Sequence, residues 1–382
     1  ETKVNHFDYL LNGTSAIITK GKNLSNEIVV PEFINNLPVT KIDDNAFLNC
    51  EGITKITLPV SIEELGSSCF KGCTSLIEIE GTSNLSIIKD STFEGCRNLS
   101  IFPDLSNVTS IGNNAFKDCA SLTTIEISDS LTSIGSNAFK NCLLLLKTPD
   151  LSNVNMIGDN AFEGCLLLTD IEALDVSSSL GENVLKACKN IAKITMSFKD
   201  DIEEFYVSSL FGKKDEQYNN EDFYIVTLLD DTQYVAPNSL KQIEYNTNGK
   251  IPDYLCYGLT SVTTIKDTSI STTIIGQHAF DNCTNLTAIS FLNSEIILVN
   301  DYAFNNCKSL TNLPNLSNVT KVGNYAFNNC LLINSISSLD SLTYIGSNAF
   351  SNLKLIKEYN IPSVIEYIGD NAFRNNSQLK TI

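Results

Sequence analysis

Residues 111–131 read IGNNAFKDCASLTTIEISDSL, and the pattern of this stretch recurs along most of the chain. Its phenylalanine returns at an interval of about 23 residues. One gap interrupts the series, and the step from Phe280 to Phe304 is longer by a single position. The residues in this register are Phe47, Phe70, Phe93, Phe116, Phe139, Phe162, Leu185, Phe280, Phe304, Phe327, Phe350 and Phe373. A short, fixed period of this kind is typical of a repeat protein in which every unit forms one rung of a stack.

The unit I-G-x-N-A-F-x-x-C-x-x-L-x-x-I-x-I divides into two parts. Its end alternates apolar and polar residues, which predicts a short strand. The N-A-F-x-x-C part predicts a single helical or 3₁₀ turn, which the Asn two positions before Phe would cap with its side chain. The Gly four positions before Phe predicts a left-handed backbone, and Pro252 at that position predicts a distorted copy.

A single unit buries too little apolar surface to offset the entropy lost when its backbone is ordered. Stacking covers both faces of each unit and adds hydrogen bonds between neighbouring strands. The sequence therefore predicts a leucine-rich-repeat type of solenoid with about fifteen rungs. Each rung is expected to contain a short parallel strand and a helical or 3₁₀ turn.

The repeat divides the chain into four segments. Residues 1–36 lack it and contain a predicted hairpin around Asn12 and Gly13, so we expect a β-rich N-terminal cap there. Regular repeats occupy residues 37–195 and 251–382. In the irregular residues 196–250 we expect two degenerate repeats, with Phe211 and Tyr234 near the anchor positions, and an inserted polar loop at residues 212–222.

The composition is ordinary for a folded protein, with 42% hydrophobic and 18% charged residues. The formal net charge of −18 makes nucleic acid a poor partner, because binding to a polyanion requires a basic surface. The sequence has no apolar run of the roughly eighteen residues that a membrane helix needs. We therefore expect no membrane insertion within this chain.

Twelve cysteines invite a metal or disulfide interpretation, but their register favours packing. Ten of them stand three positions after the anchor, namely Cys50, Cys73, Cys96, Cys119, Cys142, Cys165, Cys188, Cys283, Cys307 and Cys330. Cys69 replaces the usual Ala, and Cys256 replaces the anchor itself. We expect free, buried thiols, although stacked neighbours lie within reach of a disulfide. Zinc-ligand spacing is missing, so neither a metal nor another cofactor is expected.

The sequence contains only two histidines, His6 in the predicted cap and His278 at the capping position of its repeat. The second is expected to be exposed. No nucleophile has a histidine at a recognisable spacing, and no phosphate-binding loop or HExxH motif occurs. The sequence therefore predicts a protein that is not an enzyme.

Polar residues at outward strand positions form the candidate binding face. They are Lys55, Thr57, Glu78, Glu80, Thr124, Glu126, Asp170 and Glu172. Three interpretations are open for the carboxylates among them. They form a solvated acidic surface, a ligand-facing or calcium-attracting strip, or, least in keeping with the pattern, a glycosidase-like pair.

The repeating unit resembles the BspA-like class of leucine-rich repeats, most clearly in residues 111–127, 157–171 and 345–350. The opening segment and residues 209–212, followed by a loop and Pro237-Asn238-Ser239-Leu240, are also similar to segments of such proteins. The resemblance implies a leucine-rich-repeat solenoid. It also implies a secreted or cell-surface protein of a bacterium or protozoan that binds host matrix proteins, cells or other microbes, with no catalytic residues to carry over.

The function expected from the sequence is therefore protein binding or adhesion through the strand face and loops. One alternative is a structural spacer that presents another domain, because the chain stops partway through a repeat strand. A carbohydrate-active enzyme is the other alternative, and it requires two facing carboxylates in a pocket.

Overall fold

The computed structural model describes residues 6–22, 24, 26–101, 105–127, 129–176, 179–199, 202–216, 221–292, 295–336 and 339–381. The chain divides into two compact units, Glu1–Asn190 and Ile191–Ile382. Both consist of stacked parallel rungs, and equivalent atoms of adjacent rungs bond to each other, as from Ser133 Oγ to Ser110 Oγ at 2.8 Å. The predicted leucine-rich-repeat solenoid is thus confirmed.

The first unit contains fourteen strands among its described residues. They are β1 (Phe7–Leu11), β2 (Ala16–Gly21), β3 (Asn26–Val29), β4 (Phe33–Ile34), β5 (Leu37–Ile42), β6 (Ile53–Thr57), β7 (Glu64–Leu65), β8 (Glu78–Glu80), β9 (Ile87–Ile88), β10 (Ser110–Ile111), β11 (Ser133–Ile134), β12 (Met156–Ile157), β13 (Asp170–Asp175) and β14 (Ser179–Leu180).

Each rung of the first unit offers two places for parallel pairing. The predicted strand at the end of the repeat gives the ladder β3-β6-β8, which continues as isolated bridges such as Leu105 to Ile127. A second, two-residue strand lies just before the repeat glycine and gives the ladder β9-β10-β11-β12-β14. The sequence pattern predicted the first ladder but not the second.

The N-terminal residues form the predicted hairpin, in which β1 and β2 are antiparallel around Asn12 and Gly13. Strand β2 then pairs in parallel with β5, and Ile18 lies opposite Ile42 in that ladder. Phe7 packs edge-on against Phe47 with ring centroids 6.2 Å apart. That residues 1–36 act as a cap stays a prediction.

Stacked phenylalanines form the centre of both units. In the first unit the rings from Phe47 to Phe162 lie 5.2–5.5 Å apart and nearly parallel. In the second the spacing from Phe280 to Phe373 is 5.1–5.8 Å. Offset stacking contributes roughly 0.5–1.5 kcal/mol per pair beyond the burial of the rings. The inward columns therefore stabilise each rung through its neighbours.

The N-A-F-x-x-C segment is a run of overlapping turns and not a helix. Its alternate amides bond back within the rung, for example Cys50 N to Phe47 O at 3.1 Å. The amides between them donate to the next rung: Asn45 N to Ser67 O (3.0 Å), Phe47 N to Cys69 O (2.8 Å) and Asn49 N to Lys71 O (2.7 Å). The turns thus form a third backbone connection between rungs.

The predicted left-handed backbone at the repeat glycine is wrong. Positive φ occurs instead two positions before and after the anchor, as at Asn137 (56°) and Asn141 (60°). Gly135 is required for a different reason, because a Cβ there would lie 2.6 Å from backbone atoms of Asn113 and Gly112 in the preceding rung. The argument that Pro252 must distort its copy therefore fails, and the adjacent strand pairs regularly.

The second unit contains twelve strands among its described residues. They are β15 (Lys193–Ser197), β16 (Phe223–Thr227), β17 (Gln233–Pro237), β18 (Gln242–Asn246), β19 (Lys250–Ile251), β20 (Thr264–Asp267), β21 (Ile274–Ile275), β22 (Ala288–Phe291), β23 (Leu298–Val299), β24 (Lys321–Val322), β25 (Tyr344–Ile345) and β26 (Tyr367–Ile368). A 3₁₀ helix spans Val207–Phe211. The two parallel ladders are β15-β18-β20-β22 and β19-β21-β23-β24-β25-β26.

The irregular segment contributes one rung where the sequence suggested two. Strand β15 pairs directly with β18, so residues 198–241 lie between adjacent strands of one ladder. Val207 N donates to Leu255 O, which places Val207 and not Phe211 in the anchor register. The antiparallel hairpin β16-β17 is the inserted part of this rung.

Candidate functional site

The predicted binding face begins on β6 and β8, whose residues alternate between the core and the outside. Ile56 and Ile79 are fully buried. Lys55 lies opposite Glu78 in the ladder, and Thr57 lies opposite Glu80. Parallel pairing therefore places the four outward side chains in one patch, which we call the β6-β8 cluster.

Side-chain contacts tie the β6-β8 cluster together. Lys55 Nζ lies 3.1 Å from Glu78 Oε2 and 2.8 Å from Glu80 Oε1. Thr57 Oγ1 donates to Glu80 Oε2 at 3.0 Å. The hydrogen bond from Lys55, followed by that from Thr57, lowers the pKa of Glu80. Glu78 and Glu80 share one ammonium group, which makes an ordered polar patch with a formal net charge of −1.

The other four predicted residues lie apart from this cluster. Thr124 and Glu126 are exposed on a rung without a regular strand at that place. Asp170 and Glu172 belong to β13, where Asp170 bridges to Lys147 of the preceding rung and accepts a hydrogen bond from Thr169 Oγ1 at 2.7 Å. The last two border a shallow cleft that also contains Lys147 and Asp150.

The second unit holds an equivalent patch that the sequence analysis missed. Lys193 Nζ lies 3.0 Å from Glu244 Oε2, Lys266 Nζ lies 3.9 Å from Glu244 Oε1, and Gln242 Nε2 donates to that oxygen at 2.8 Å. Burial raises the pKa of Glu244, but the hydrogen bonds from Lys193 and Gln242 and the charges of Lys193 and Lys266 together outweigh it, so the pKa is lowered. These residues could have been found from the sequence by applying the same outward strand positions to the strands around the irregular segment.

A trough on the short-strand side of the first unit was also missed. Glu64 Oε1 lies 3.1 Å from Lys41 Nζ and 2.5 Å from Lys89 Nζ. The hydrogen bond from Lys89 is the main cause of the lowered pKa of Glu64. Ile17 and Ile87 contribute apolar surface to the same trough. The pairing of β5 with β7, which the pattern did not predict, places Lys41 opposite Glu64, and Lys89 follows β9 in the next rung.

The cysteines are all free thiols, and all except the half-buried Cys50 are buried. Most of these thiols also donate a hydrogen bond to the backbone carbonyl of the anchor residue in the preceding rung. Cys119 Sγ, for example, lies 3.2 Å from Phe93 O. This role was not predicted from packing. Within the described residues, no group of three or more His, Cys, Asp or Glu side chains could hold a metal ion.

The prediction that His278 is exposed is wrong. Its side chain is buried and stacks between Tyr254 and Tyr302, with ring centroids 5.0 and 4.6 Å away. Its Nδ1 lies 2.6 Å from Asp281 Oδ2. The repeat position suggested exposure because Asn usually stands there, whereas the burial comes from tyrosines in the neighbouring rungs.

The predicted polar loop leads into the β16-β17 hairpin, and its residues 217–220 lie outside the described residues. Tyr224 OH lies 3.0 Å from Ser261 Oγ, and the side chain of Val226 is fully buried. The hairpin is therefore fixed to the adjacent rung. None of the described residues belongs to a helix that is long and apolar enough to cross a bilayer.

Comparison with known families settles the class of repeat. The model of the BspA-type leucine-rich-repeat region matches residues 25–145, 146–214 and 249–380, in six copies. The chain belongs to this family. Among curated protein sequences, this BspA-type repeat protein has no significant match.

Several solved structures resemble this BspA-type repeat protein. A leucine-rich cell surface protein from Faecalibacterium prausnitzii is 25% identical with a TM-score of 0.50, over 99% of this chain and 92% of that chain. The leucine-rich-repeat protein of T. pallidum is 31% identical with a TM-score of 0.46, over 50% of this chain and 90% of that one. One from Bacteroides ovatus is 20% identical with a TM-score of 0.49, over 99% and 98%.

Proposed function

We propose that this chain is a secreted or cell-surface protein that binds other proteins, as in adhesion, through its outward strand positions. The observation that carries the proposal is the β6-β8 cluster, a fixed array of charged and hydroxyl groups on a parallel ladder. The similarity to a cell-surface protein of F. prausnitzii supports the location. Membership in a family of repeat solenoids supports binding over catalysis.

The β6-β8 cluster suits recognition because its groups are already held in place. Lys55 is bonded to both glutamates, so little side-chain entropy remains to be lost when a partner docks. Glu126, Asp170 and Glu172 extend the polar surface along the same side of later rungs. A host extracellular-matrix or cell-surface protein with a complementary basic and hydrogen-bonding surface is the partner we propose.

Surface plasmon resonance against a panel of purified matrix and cell-surface proteins tests this proposal. Once a partner is found, the triple substitution Glu78→Ala, Glu80→Ala and Glu126→Ala should weaken binding by about tenfold or more. The matched control, Glu51→Ala, Asp129→Ala and Glu182→Ala, removes the same charge from other positions of the first unit and should leave the affinity nearly unchanged.

The second recognition element that we propose is the loop before the hairpin. Loops held on a rigid scaffold often carry specificity, and this one is anchored through Tyr224 and Val226. Deletion of residues 213–221 should alter partner choice. If a confirmed interaction survives both the triple substitution and the deletion, the assigned surfaces are wrong.

A further inference from the structure

A row of stacked aromatic side chains crosses the turn side of the second unit. Successive ring centroids, from Tyr206 through Tyr254, His278, Tyr302 and Tyr325, are 5.1, 5.0, 4.6 and 4.9 Å apart. The last three pairs are parallel to within 8°. The four tyrosines are half-buried, whereas His278 is buried. We call this row the tyrosine strip.

Four of the five residues in the tyrosine strip have a left-handed backbone, whereas Tyr206 is extended at φ −109°. The φ values are 60° at Tyr254, 53° at His278, 58° at Tyr302 and 54° at Tyr325. Bulky residues rarely adopt this geometry, which costs roughly 1–2 kcal/mol per residue. Stacking offsets part of that cost at about 0.5–1.5 kcal/mol per pair. Stability alone therefore does not explain why aromatic residues occupy these left-handed positions.

The first unit shows that the fold does not need aromatic residues at this position. The equivalent residues there are Asn45, Ser68, Ser91, Asn114, Asn137, Asn160 and Asn183. The second unit itself returns to Asn at Asn348 and Asn371. The tyrosine strip is thus a local departure, confined to consecutive rungs beside the inserted hairpin.

The surroundings of the tyrosine strip are acidic. The four turn segments 253–258, 277–282, 301–306 and 324–329 contain three aspartates and no lysine or arginine. The equivalent turns of the first unit also contain acidic residues, but lysines on the same turns pair with some of them, as Lys71 does with Glu94 and Lys140 with Glu163. Burial raises the pKa of Tyr254 and of Tyr302, and nearby carboxylates, including Asp281 for both, raise them further. The strip therefore lies in a negative potential.

Each of the three aspartates beside the strip is held by its own partner. Lys250 Nζ lies 3.1 Å from Asp253 Oδ1 and partly neutralises it. Asp301 instead accepts hydrogen bonds from the backbone and side-chain amides of Asn324 at 2.7 and 3.1 Å. Asp281 is held by His278 and by Asn305 Nδ2 at 2.9 Å. The amide donors hold the carboxylates in place without cancelling their charge.

Another stacked pair in the same unit shows what such a surface accepts. Tyr344 and Tyr367 stack at 4.7 Å on the short-strand side, and Lys321 Nζ lies over the Tyr344 ring at 5.0 Å from its centroid. A lysine thus occupies the open face at the end of that stack through a cation–π contact. Tyr325 ends the tyrosine strip, because the equivalent position of the next rung is Asn348.

We propose that the tyrosine strip is a second docking surface, separate from the strand face, for a lysine- and arginine-rich segment of a partner protein. Tyrosine gives a large contact area for little lost side-chain entropy, and stacking preorganises it further. The phenol oxygens accept hydrogen bonds from basic groups along the row, the face at the Tyr325 end offers a cation–π contact, and Asp253 and Asp301 attract the positive charge. Carbohydrate is disfavoured, because sugars pack on ring faces and the inner faces are covered by neighbouring rings.

Titration of the protein with an oligolysine peptide tests the proposal, with an oligoglutamate peptide and a soluble glucan oligosaccharide as comparison probes. Tyrosine labelled with ¹³C in the ring locates binding by NMR. Because the chain has no tryptophan, its fluorescence comes from the 13 tyrosines, and the change in that signal on titration gives the affinity. Oligolysine should shift the ring signals of Tyr302 and Tyr325, and neither comparison probe should do so.

The decisive variant is Tyr302→Asn with Tyr325→Asn, since Asn occupies this position in the first unit. It should bind oligolysine about tenfold less tightly. The matched control, Tyr344→Asn with Tyr367→Asn, removes a stacked pair whose open face is taken by Lys321, and should bind like the native protein. Tyr302→Phe with Tyr325→Phe keeps the stack and should lose only part of the affinity.

Equal losses in the decisive and control variants would mean nonspecific attraction to an acidic protein and would overturn the proposal. Shifts of the same tyrosine signals by the glucan and not by oligolysine would also overturn it, in favour of a carbohydrate surface. Urea unfolding of each variant separates lost binding from lost folding, and the phenylalanine pair provides the result if the asparagine pair fails to fold.

Discussion

At the scale of single residues, two positions of the repeat are restricted for different reasons. Asn137 tolerates φ of 56°, which few residues other than glycine adopt readily. Gly135 is fixed by its neighbours, because atoms of the preceding rung occupy the space of a Cβ. Local turn geometry decides the first position, and packing between rungs decides the second.

Gly135→Ala should lower the free energy of unfolding by about 2–3 kcal/mol, because the added methyl group forces two rungs apart. Lys89 and Asn300 occupy the equivalent position elsewhere, so a rung can adjust, and the cost is limited. Asn137→Gly should change stability by less than about 1 kcal/mol, since glycine accepts positive φ. Urea denaturation measures both, and a larger loss for Asn137→Gly would contradict this account.

At the scale of elements, the sequence predicted what depends on a residue's own repeat. The strand of the β6-β8 ladder follows from apolar alternation, and the hairpin β1-β2 follows from Asn12 and Gly13. The second strand ladder has only two residues per rung, too few for alternation to show. The direct pairing of β15 with β18 could not be inferred, because the inserted hairpin separates them in sequence.

In the candidate site, too, the sequence predicted features of a single repeat and missed contacts between repeats. Alternation along the strand predicted that Lys55 and Glu80 face outwards, but not that they bond to each other across rungs. Burial of His278 depends on Tyr254 and Tyr302, which stand at the same position of the preceding and following rungs. Contacts of this kind depend on how neighbouring rungs align in the stack, and the pattern of a single repeat does not contain that information.

The hairpin β16-β17 gives a prediction at this scale. Tyr224→Phe removes the contact with Ser261 Oγ and should weaken docking of the hairpin by about 1 kcal/mol. Limited proteolysis should then cut residues 212–238 faster, with little change in global unfolding. Tyr234→Phe, in the partner strand, is the control and should leave the cleavage rate unchanged. Equal rates for Tyr224→Phe and the native protein would show that the hydroxyl contact does not hold the hairpin.

At the scale of the whole molecule, eleven buried thiols couple folding to pH. Burial raises the pKa of every one of them above 9.0, to about 12 for Cys73 and Cys188. The folded chain therefore keeps protons that the unfolded chain releases. The buried thiols therefore stabilise the folded state fully below pH 9.0, and this stabilisation is lost as the pH rises towards 12.

Stability should fall steeply above the ordinary thiol pKa. Each buried thiol contributes a slope of about 1.4 kcal/mol per pH unit, so all eleven approach roughly 15 kcal/mol per pH unit, as much as the full stability of a domain. Urea titrations under reducing conditions on either side of pH 9.0 measure the slope. Replacing Cys119, Cys142 and Cys307 with Ala should weaken the neutral-pH protein but reduce the slope by about a quarter. An unchanged slope would show that the buried thiols do not cause the loss of stability at high pH.

The repeated hydrogen bonds between turns have a mechanical consequence. Every rung within a unit is joined to the next by similar short sets of bonds, so tension applied to the two ends of a unit should peel off one rung at a time. Each release frees one repeat, or about 80 Å of extended chain. Single-molecule force measurements should show steps of this length, and one abrupt rupture of a whole unit would contradict the expectation. A solenoid built this way would yield gradually under tension and keep its remaining rungs folded.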